Sequence, residues 1–567
     1  MTAVAVIAPA TASAAYSSGQ TFYVDNSPGC SDSNPGTDPA QPWCTFDNIN
    51  GQVFAPDDTI LLKSGDLWQQ TLAPLGSGSP GHPVTVGCYG ASCSTVYAEV
   101  HGSNSGSDAI DLANQSYWTI SNLALTGANN GVHVTYSTLN NAGITLRNLY
   151  IYNISGSGVD FDGFNSSPQY TVPAGDSIYS DVMIDNVAVV NAGLDGIVLQ
   201  AGYAGQQEGA CCPNAQQNIT VKNSFMENLG GGGFAAANAS AIALLSDVDQ
   251  NNDTTGAAET ANYFVAVNGA TFTNSIFSGT PWTGATDNSA FNLDNHLSGM
   301  TWRGDYIAGN YGSGLEWTEN PCFDTCTSTS NTDATVDSNV FINNSLEDSS
   351  LYYGDIDATY SPDSTGSITN NLYNDNSQTY NAFAHNVTDY TVSNNVAAAS
   401  TSDLSDGAVD FSGTQGAGGW SYVSNGTTNA GSFSQMPTYS TSPEPCWTDG
   451  AGGVISQLNM VPPSNSLDWA ERVWTAPADG TIDIRGSIAM ADTGGDGVWA
   501  AISNGSTWLW NTQVSGSDSI GQSTDLSNVP VTAGEQIQFA VNDGGWNGGS
   551  YSNTDDLVSW TPEIAYV

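Results

Sequence analysis

Between Tyr117 and Val396 the chain repeats one phrase some nine times: a strand-like run, an Asn, and a second strand-like run. Clear copies are Thr119–Leu125, Thr145–Ile151, Met183–Val189, Thr220–Met226, Val336–Ile342 and Ser367–Tyr373. Their fourth places hold Asn122, Asn148, Asn186, Asn223, Asn339 and Asn370. A polar turn follows, then a third run such as Gly158–Asp162 or Gly196–Leu199. Recurrence at roughly 25–40 residues marks a stacked solenoid, because each unit can bury its apolar side only against its neighbours. The runs alternate, are rich in β-branched and aromatic residues, and are too short for helices. The unit is therefore a coil of strands, and the fold it predicts is a right-handed parallel β-helix. An Asn at the same bend of each coil can bond the Asn of the next, which gives buried amides their partners.

Charge narrows the partners. The chain carries 55 acidic against 6 basic residues, a formal charge of −49. Such a surface repels nucleic acid and anionic membranes. Only 11% of residues are charged, unlike a disordered tail. With carboxyl pKa values near 4, most of these groups are neutral at about pH 3, where little net charge would remain. The balance points to a protein that works outside the cell in acid; a low-pI secreted protein from a neutral habitat is the competing reading. Residues 1–15 read as part of a signal peptide, with an apolar Ala3–Ile7 and a small-residue stretch at Ala12–Ala14. No basic segment precedes them, which points to a start inside a longer signal. No later run is long and apolar enough to span a bilayer.

Nine Cys suit an oxidising compartment. Cys30 with Cys44, Cys88 with Cys93, and Cys322 with Cys326 are local pairs; adjacent Cys211 and Cys212, and distant Cys446, leave the rest open. Asp247–Asp253 alternates oxygen ligands like a calcium loop, but lacks the Gly and Glu of that motif. A hydrated loop with no metal is the expectation.

The opening runs Thr21–Val24, Gly36–Ala40, Trp43–Phe46, Asp57–Leu62, Gly65–Trp68 and Gly81–Val86. In these segments it resembles many β-helix carbohydrate enzymes of the pectate-lyase-like superfamily. The likeness covers roughly residues 20–400 and implies capping coils here; it speaks for fold more than for reaction. The expected catalytic domain is 16–400. Residues 401–446 read as irregular last coils and a linker. From 447 to 567 short alternating strands predict a β-sandwich of jelly-roll type. That block is similar to sandwich modules attached to secreted carbohydrate enzymes. Trp508, Trp510 and Trp546 offer faces for sugar rings there, with core packing as the alternative for each.

Equivalent positions of successive coils stack about 4.8 Å apart, so the third runs can be read as columns. In Ala290–Asp294 the residues Phe291 and Leu293 point one way, Asn292 and Asp294 the other. In Gly314–Thr318, Glu316 and Thr318 point outward. Asp294 and Glu316 thus share a face, and a pair of carboxyl groups is what glycoside hydrolysis needs. Their order and spacing resemble those of a β-helix family of retaining xylosidases, which places a catalytic Asp after a Leu and a Glu one coil later. This chain departs from it: Glu316 aligns with Asn292, two residues from Asp294. The Cα atoms would lie roughly 8 Å apart, which leaves the stereochemistry open. His296, Glu319, Trp302 and Trp317 would surround the pair, with Trp317 in the core by alternation and Glu319 the fallback acid. Asp160 and Asp162 occupy the same two columns about three coils earlier, at a further subsite. Asp195 is a third carboxylate in a turn that favours Asp for backbone reasons.

The resulting expectation is a secreted, acid-adapted glycoside hydrolase of neutral plant or microbial polysaccharides, xylan-like ones first, acting as a monomer without a cofactor. A polysaccharide lyase is the first rival. Elimination needs a base and a cation or calcium for the uronate, and Lys63, Lys222, Arg147 and Arg303 show no cluster in the sequence. A non-enzymatic carbohydrate-binding or adhesion protein is the second. Two acids buried together in a groove, rather than dispersed on the surface, would separate the hydrolase from it.

Overall fold

The corners of each coil decide how the strands stack. The computed structural model describes residues 19–567 except 92, 94–95, 164–171, 174, 202–214, 257–259, 285–286, 320–329, 347–353, 362, 375–382, 399, 427–431, 442–443, 465–467 and 545–554. Strands from Thr21–Val24 to Val396–Ala397 form one parallel system of 31 strands. It is the right-handed parallel β-helix that the repeat predicts. Among the described residues no helix is long and apolar enough to cross a membrane.

The bend inside the repeated phrase is made by a residue in the left-handed region. Asn122, Asn148, Asn186, Asn223, Ser246, Asn274, Gly304, Ser338 and Asn370 hold it, with φ from 51° to 67°. Asn tolerates this conformation better than other side chains and Gly adopts it freely, so the column is mostly Asn. In early coils the column bonds to itself: Asn148 Nδ2 donates to Asn122 Oδ1 (3.2 Å) and Asn186 Nδ2 to Asn148 Oδ1 (2.9 Å). Asn339 falls one residue past it. There Ser338 makes the bend, so the copy at Val336–Ile342 is shifted by one relative to the others.

That next place points inward. Leu123, Leu149 and Val187 fill it first, and Ser224, Asp247, Ser275, Asp305, Asn339 and Asn371 continue it, all buried. The polar stretch is a ladder of side chains capping backbone N–H groups. Ser224 N donates to Asp247 Oδ1 (2.7 Å), Ser275 N to Asp305 Oδ1 (2.8 Å), and Asp305 N to Asn339 Oδ1 (2.9 Å). Asn339 N and Nδ2 both donate to Asn371 Oδ1, at 2.9 and 3.0 Å. Bends leave N–H groups without strand partners, and these rungs satisfy them. The expectation of a hydrated loop at Asp247–Asp253 is therefore wrong. Asp247, Asp249 and Asp253 are buried around the strand Val248–Gln250, and Asp247 serves the ladder.

Apolar side chains stack inside the coil, with Phe234 over Phe264 (5.5 Å) and Phe272 over Trp302 (5.1 Å). The open first coil is covered by the helix Asp47–Asn50 and by stacked pairs, Phe22 with Trp43 and Phe46 with Trp68. Disulfides join Cys30 to Cys44 and Cys88 to Cys93, as expected. Among the described residues Cys446 is the one cysteine outside a disulfide. Cys211, Cys212, Cys322 and Cys326 lie outside the described residues.

Antiparallel sheets of four, six and seven strands form the C-terminal body. Here the sequence reading of 401–446 as coils and linker fails. Leu404–Asp406 pairs with Glu563–Tyr566, and Trp420–Ser424 with Trp469–Thr475, so these residues are strands of the sandwich. Their periodicity was hidden by Ser, Thr and Gly, which favour turns yet fill short edge strands. Trp420, Trp474 and Trp560 are core; Trp508 is exposed, edge-on to Trp469 (5.8 Å). Trp510 tilts against Trp560, and Trp546 lies outside the described residues.

The sandwich docks on the left-handed column itself. Asn223 accepts from Asn459 Nδ2 (3.0 Å), Ser246 Oγ donates to Asn459 Oδ1 (3.0 Å), and Asn274 Nδ2 donates to Ser559 Oγ (3.0 Å). Gly304 O accepts from Thr561 Oγ1 (3.1 Å), and Ser338 Oγ donates to Asp525 Oδ2 (2.7 Å). Five successive coils are held this way.

Candidate functional site

The third-run face carries two outward columns. The first reads Asp111, His133, Asp160, Val198, Ala235, Tyr263, Asn292, Glu316, Asp357 and His385 from coil to coil. Glu316 pairs with Asn292, the register expected from the alternation. Asp294 follows the strand Phe291–Leu293, and its N–H donates to Phe264 O (2.8 Å), which keeps it aligned with the face for one more residue. Thr318, two past Glu316, reaches Asp294 Oδ1 at 3.5 Å.

Both acids are buried, Asp294 at 7% and Glu316 at 1% exposure, which sets them apart from dispersed surface carboxylates. Glu316 Oε2 accepts a bond from Ser289 Oγ (2.7 Å). Burial pushes the Glu316 carboxyl well above the usual range; Asp287 adds to the rise, Ser289 opposes it, and Asp357 and Asp294 add further. A carboxyl in that setting keeps its proton. Asp294 instead collects donors: Tyr263 OH at 3.2 Å and Asn295 N at 2.9 Å, with Thr318 beyond. Such a donor set suits a negatively charged oxygen pair.

Several members escaped the sequence reading. Asp287 lies in the turn before Phe291–Leu293 and is the most accessible acid of the group, accepting from Asn292 Nδ2 at 2.7 Å. Asn292 Oδ1 accepts from Thr318 Oγ1 (3.0 Å), so a polar chain links Asp287 to Asp294. Asp357 stands one coil beyond Glu316, bonded to Thr359 Oγ1 (2.5 Å) and 3.3 Å from His385 Nδ1. Extending the column one more coil would have found Asp357. Asp287 sits in a turn, where no period points.

Other expected neighbours are placed differently. His296 follows Asp294 in a left-handed turn (φ 62°). Glu319 lies beyond the strand Leu315–Thr318 and accepts from Ser361 Oγ (2.7 Å). Trp302 belongs to the core with Trp317, so it does not reach the acids. Asp160 and Asp162 stand in the two columns as read. Val198, Ala235 and Tyr263 intervene before Asn292, so the separation is four coils, not three, or roughly 19 Å. The long strands Phe234–Leu245 and Asn262–Thr273 run two faces together, which hides one coil in the sequence.

A second polar group forms there. His133 contacts Asp108 Oδ2 (3.0 Å) and Asp162 Oδ2 (3.5 Å). Hydrogen bonds to Asp108 and then Asp162 push His133 up to about 10. Burial, with Asp162 beside it, pushes Asp160 up to about 7. His133, Asp160 and Asp162 offer metal-ligand atoms within 4.8 Å of one another, as do Asp496, Asp543 and Asp556 in the sandwich. In acid, protons compete for both sets. Asp195 Oδ1 accepts from Gly232 N (2.7 Å), the backbone role expected of a turn Asp.

Arg147 and Lys222 flank Asp185, and Arg303 stands three coils beyond Lys222, away from the acids. Arg147, Asp185 and Lys222 stack in one column, and Arg303 and Asp337 continue it four and five coils after Arg147's neighbour Asp185. Arg147 pairs with Asp185 (3.1 Å), Lys222 Nζ donates to Ala491 O (2.8 Å), and Arg303 to Gly521 O (3.1 Å). This column faces the sandwich, away from Glu316.

No protein-family model matches the sequence, and no curated protein matches it. Solved structures do. A GH136 lacto-N-biosidase from Eubacterium ramulus is 16% identical over 67% of this chain and 68% of that one, with a TM-score of 0.52. A rhamnogalacturonan lyase is 13% identical, covering 68% and 90%, at 0.41. An alginate lyase from Paenibacillus sp. str. FPU-7 is 14% identical, covering 61% and 98%, at 0.35. The likeness to the lacto-N-biosidase is one of fold, the parallel β-helix.

Proposed function

We propose that this protein is a secreted glycoside hydrolase of neutral glycans, adapted to acid. The observation that carries the reading is Glu316: buried, held protonated, and set among Asp287, Asp294 and Asp357 with Lys and Arg placed on another face. Hydrolysis of a glycosidic bond needs one protonated carboxyl for the leaving oxygen and one carboxylate for the sugar or for water. Asp294, with its donors, is the carboxylate. The charge of Asp287 raises the proton affinity of Glu316, so the two acids hold one proton in common, and the more accessible Asp287 hands it to the leaving oxygen. Acid surroundings keep that proton in place. A lyase would want a cation beside a uronate, whereas Lys222 and Arg303 bond backbone carbonyls of the sandwich and Arg147 pairs with Asp185.

The test is a reducing-sugar screen at about pH 3, with xylan first and lacto-N-biose-terminated oligosaccharides included, since the Eubacterium ramulus enzyme is a lacto-N-biosidase. Asp294→Asn, Asp287→Asn and Glu316→Gln are each expected to lower kcat/KM by about a thousandfold, with thermal stability largely kept. Wild-type activity in all three would sink the assignment. An unsaturated, ultraviolet-absorbing product would replace the hydrolase with a lyase.

A further inference from the structure

Among the described residues Trp282 is the large aromatic side chain left most open to solvent, at 65% exposure, and it lies five positions before Asp287. Its ring stacks on Tyr311, with centroids 6.0 Å apart and planes 30° apart. Tyr311 lies in the equivalent turn of the next coil, just before the strand that carries Glu316. The pair therefore spans the two turns that lead into the acidic cluster.

These turns are tied to each other and to the acids. Tyr311 N donates to Thr280 O (3.0 Å) and Gly312 N to Asn288 O (2.8 Å). Thr280 Oγ1 donates to Asn310 Oδ1 (2.9 Å), and Thr283 Oγ1 to Asn288 Oδ1 (3.1 Å). Gly312 packs so closely that a Cβ there would stand 2.2 Å from Asp287 O and 2.7 Å from Ser289 Oγ. Ser289 in turn donates to Glu316. These bonds hold the segment bearing Tyr311 against the one bearing Asp287 and Ser289.

What marks this indole is its partner and place: it stacks on a second ring beside the acidic cluster and leaves an apolar face open to solvent. A pyranose ring has an apolar C–H face that lies flat on an indole or phenol ring while its hydroxyls stay solvated. We infer that Trp282 and Tyr311 form a sugar-stacking platform that binds a pyranosyl unit of the glycan beside the bond that is cleaved. This rests on the hydrolase reading for the word "cleaved", but the platform itself is a binding site. It selects for neutral sugars, since a ring carrying a carboxylate would meet the negative charge of the cluster.

Trp282→Ala is assayed on the neutral glycan that the wild-type protein cleaves best. KM is expected to rise about tenfold or more with kcat changed far less, and Trp282→Phe should recover part of the loss. Trp282→Ala and Tyr311→Ala are also compared with wild type by electrophoresis in gels containing soluble xylan or soluble β-glucan. Retardation of the wild type that weakens in both variants supports the platform, even if no glycan is cleaved and the hydrolase reading falls. Equal retardation of wild type and variants, or no retardation together with unchanged KM, would overturn it.

Discussion

Glu316 shows what alternation can and cannot tell. Its outward direction and its level, opposite Asn292, follow from the period of two, and so does the place of Asp294. The company it keeps does not. Asp287 reaches it from a turn, and Ser289 from the residues just before Phe291, positions that no period marks. These two set the proton affinity in opposite senses. The Ser289 bond favours the ionised form and so holds the pKa below what burial alone would give. An acid catalyst loses activity as pH rises through its pKa. Ser289→Ala removes the restraint, so the alkaline limb of the kcat profile should move to higher pH, by about half a unit or more. A limb that stays put would mean that another group sets it.

At the scale of the strand and its corner, the repeated Asn proved to be two columns. Left-handed Asn residues make the bend; inward Ser, Asp and Asn residues behind it cap its N–H groups. One consensus phrase merged them because Ser338-Asn339 and Asn122-Leu123 look alike without φ angles. Asn371 belongs to the inward set, where its amide serves both neighbouring coils: Oδ1 takes two bonds from Asn339, and Nδ2 donates to Asn395 Oδ1 (2.9 Å). Asn371→Leu fills the same volume with apolar atoms yet strands buried N–H groups. It should destabilise the protein by about 2 kcal/mol or more, measured by denaturant unfolding in acid. A loss near zero would show that packing, not the ladder, holds these corners. The sandwich strands before residue 447 were missed for a related reason, since turn-forming residues obscured their alternation.

For the molecule as a whole, burial of carboxyl groups ties stability to acid. Burial pushes Glu471 up to about 8, Asp249 to about 7 and Asp406 to about 6. Each then binds its proton more tightly folded than unfolded, where carboxyls titrate near 4. Their contribution is fully present below about pH 4 and is lost as pH rises through the folded values, at about 1.4 kcal/mol per pH unit for each group. The melting temperature should therefore fall steadily between about pH 4 and pH 8, the reverse of a protein held by ionised pairs. A level or rising curve would remove the support that these groups give to acid adaptation. The surplus of acidic residues was plain in the composition; which of them are buried could be known only once the coils were stacked.

A solenoid, left alone, can peel from its end one repeat at a time, because each unit answers only to the next. The row of contacts from Asn223 to Ser338 works as a splint laid across five of them. The rungs bearing Asn292 and Glu316 lie within the splinted length, so they cannot loosen separately from the body fastened alongside them.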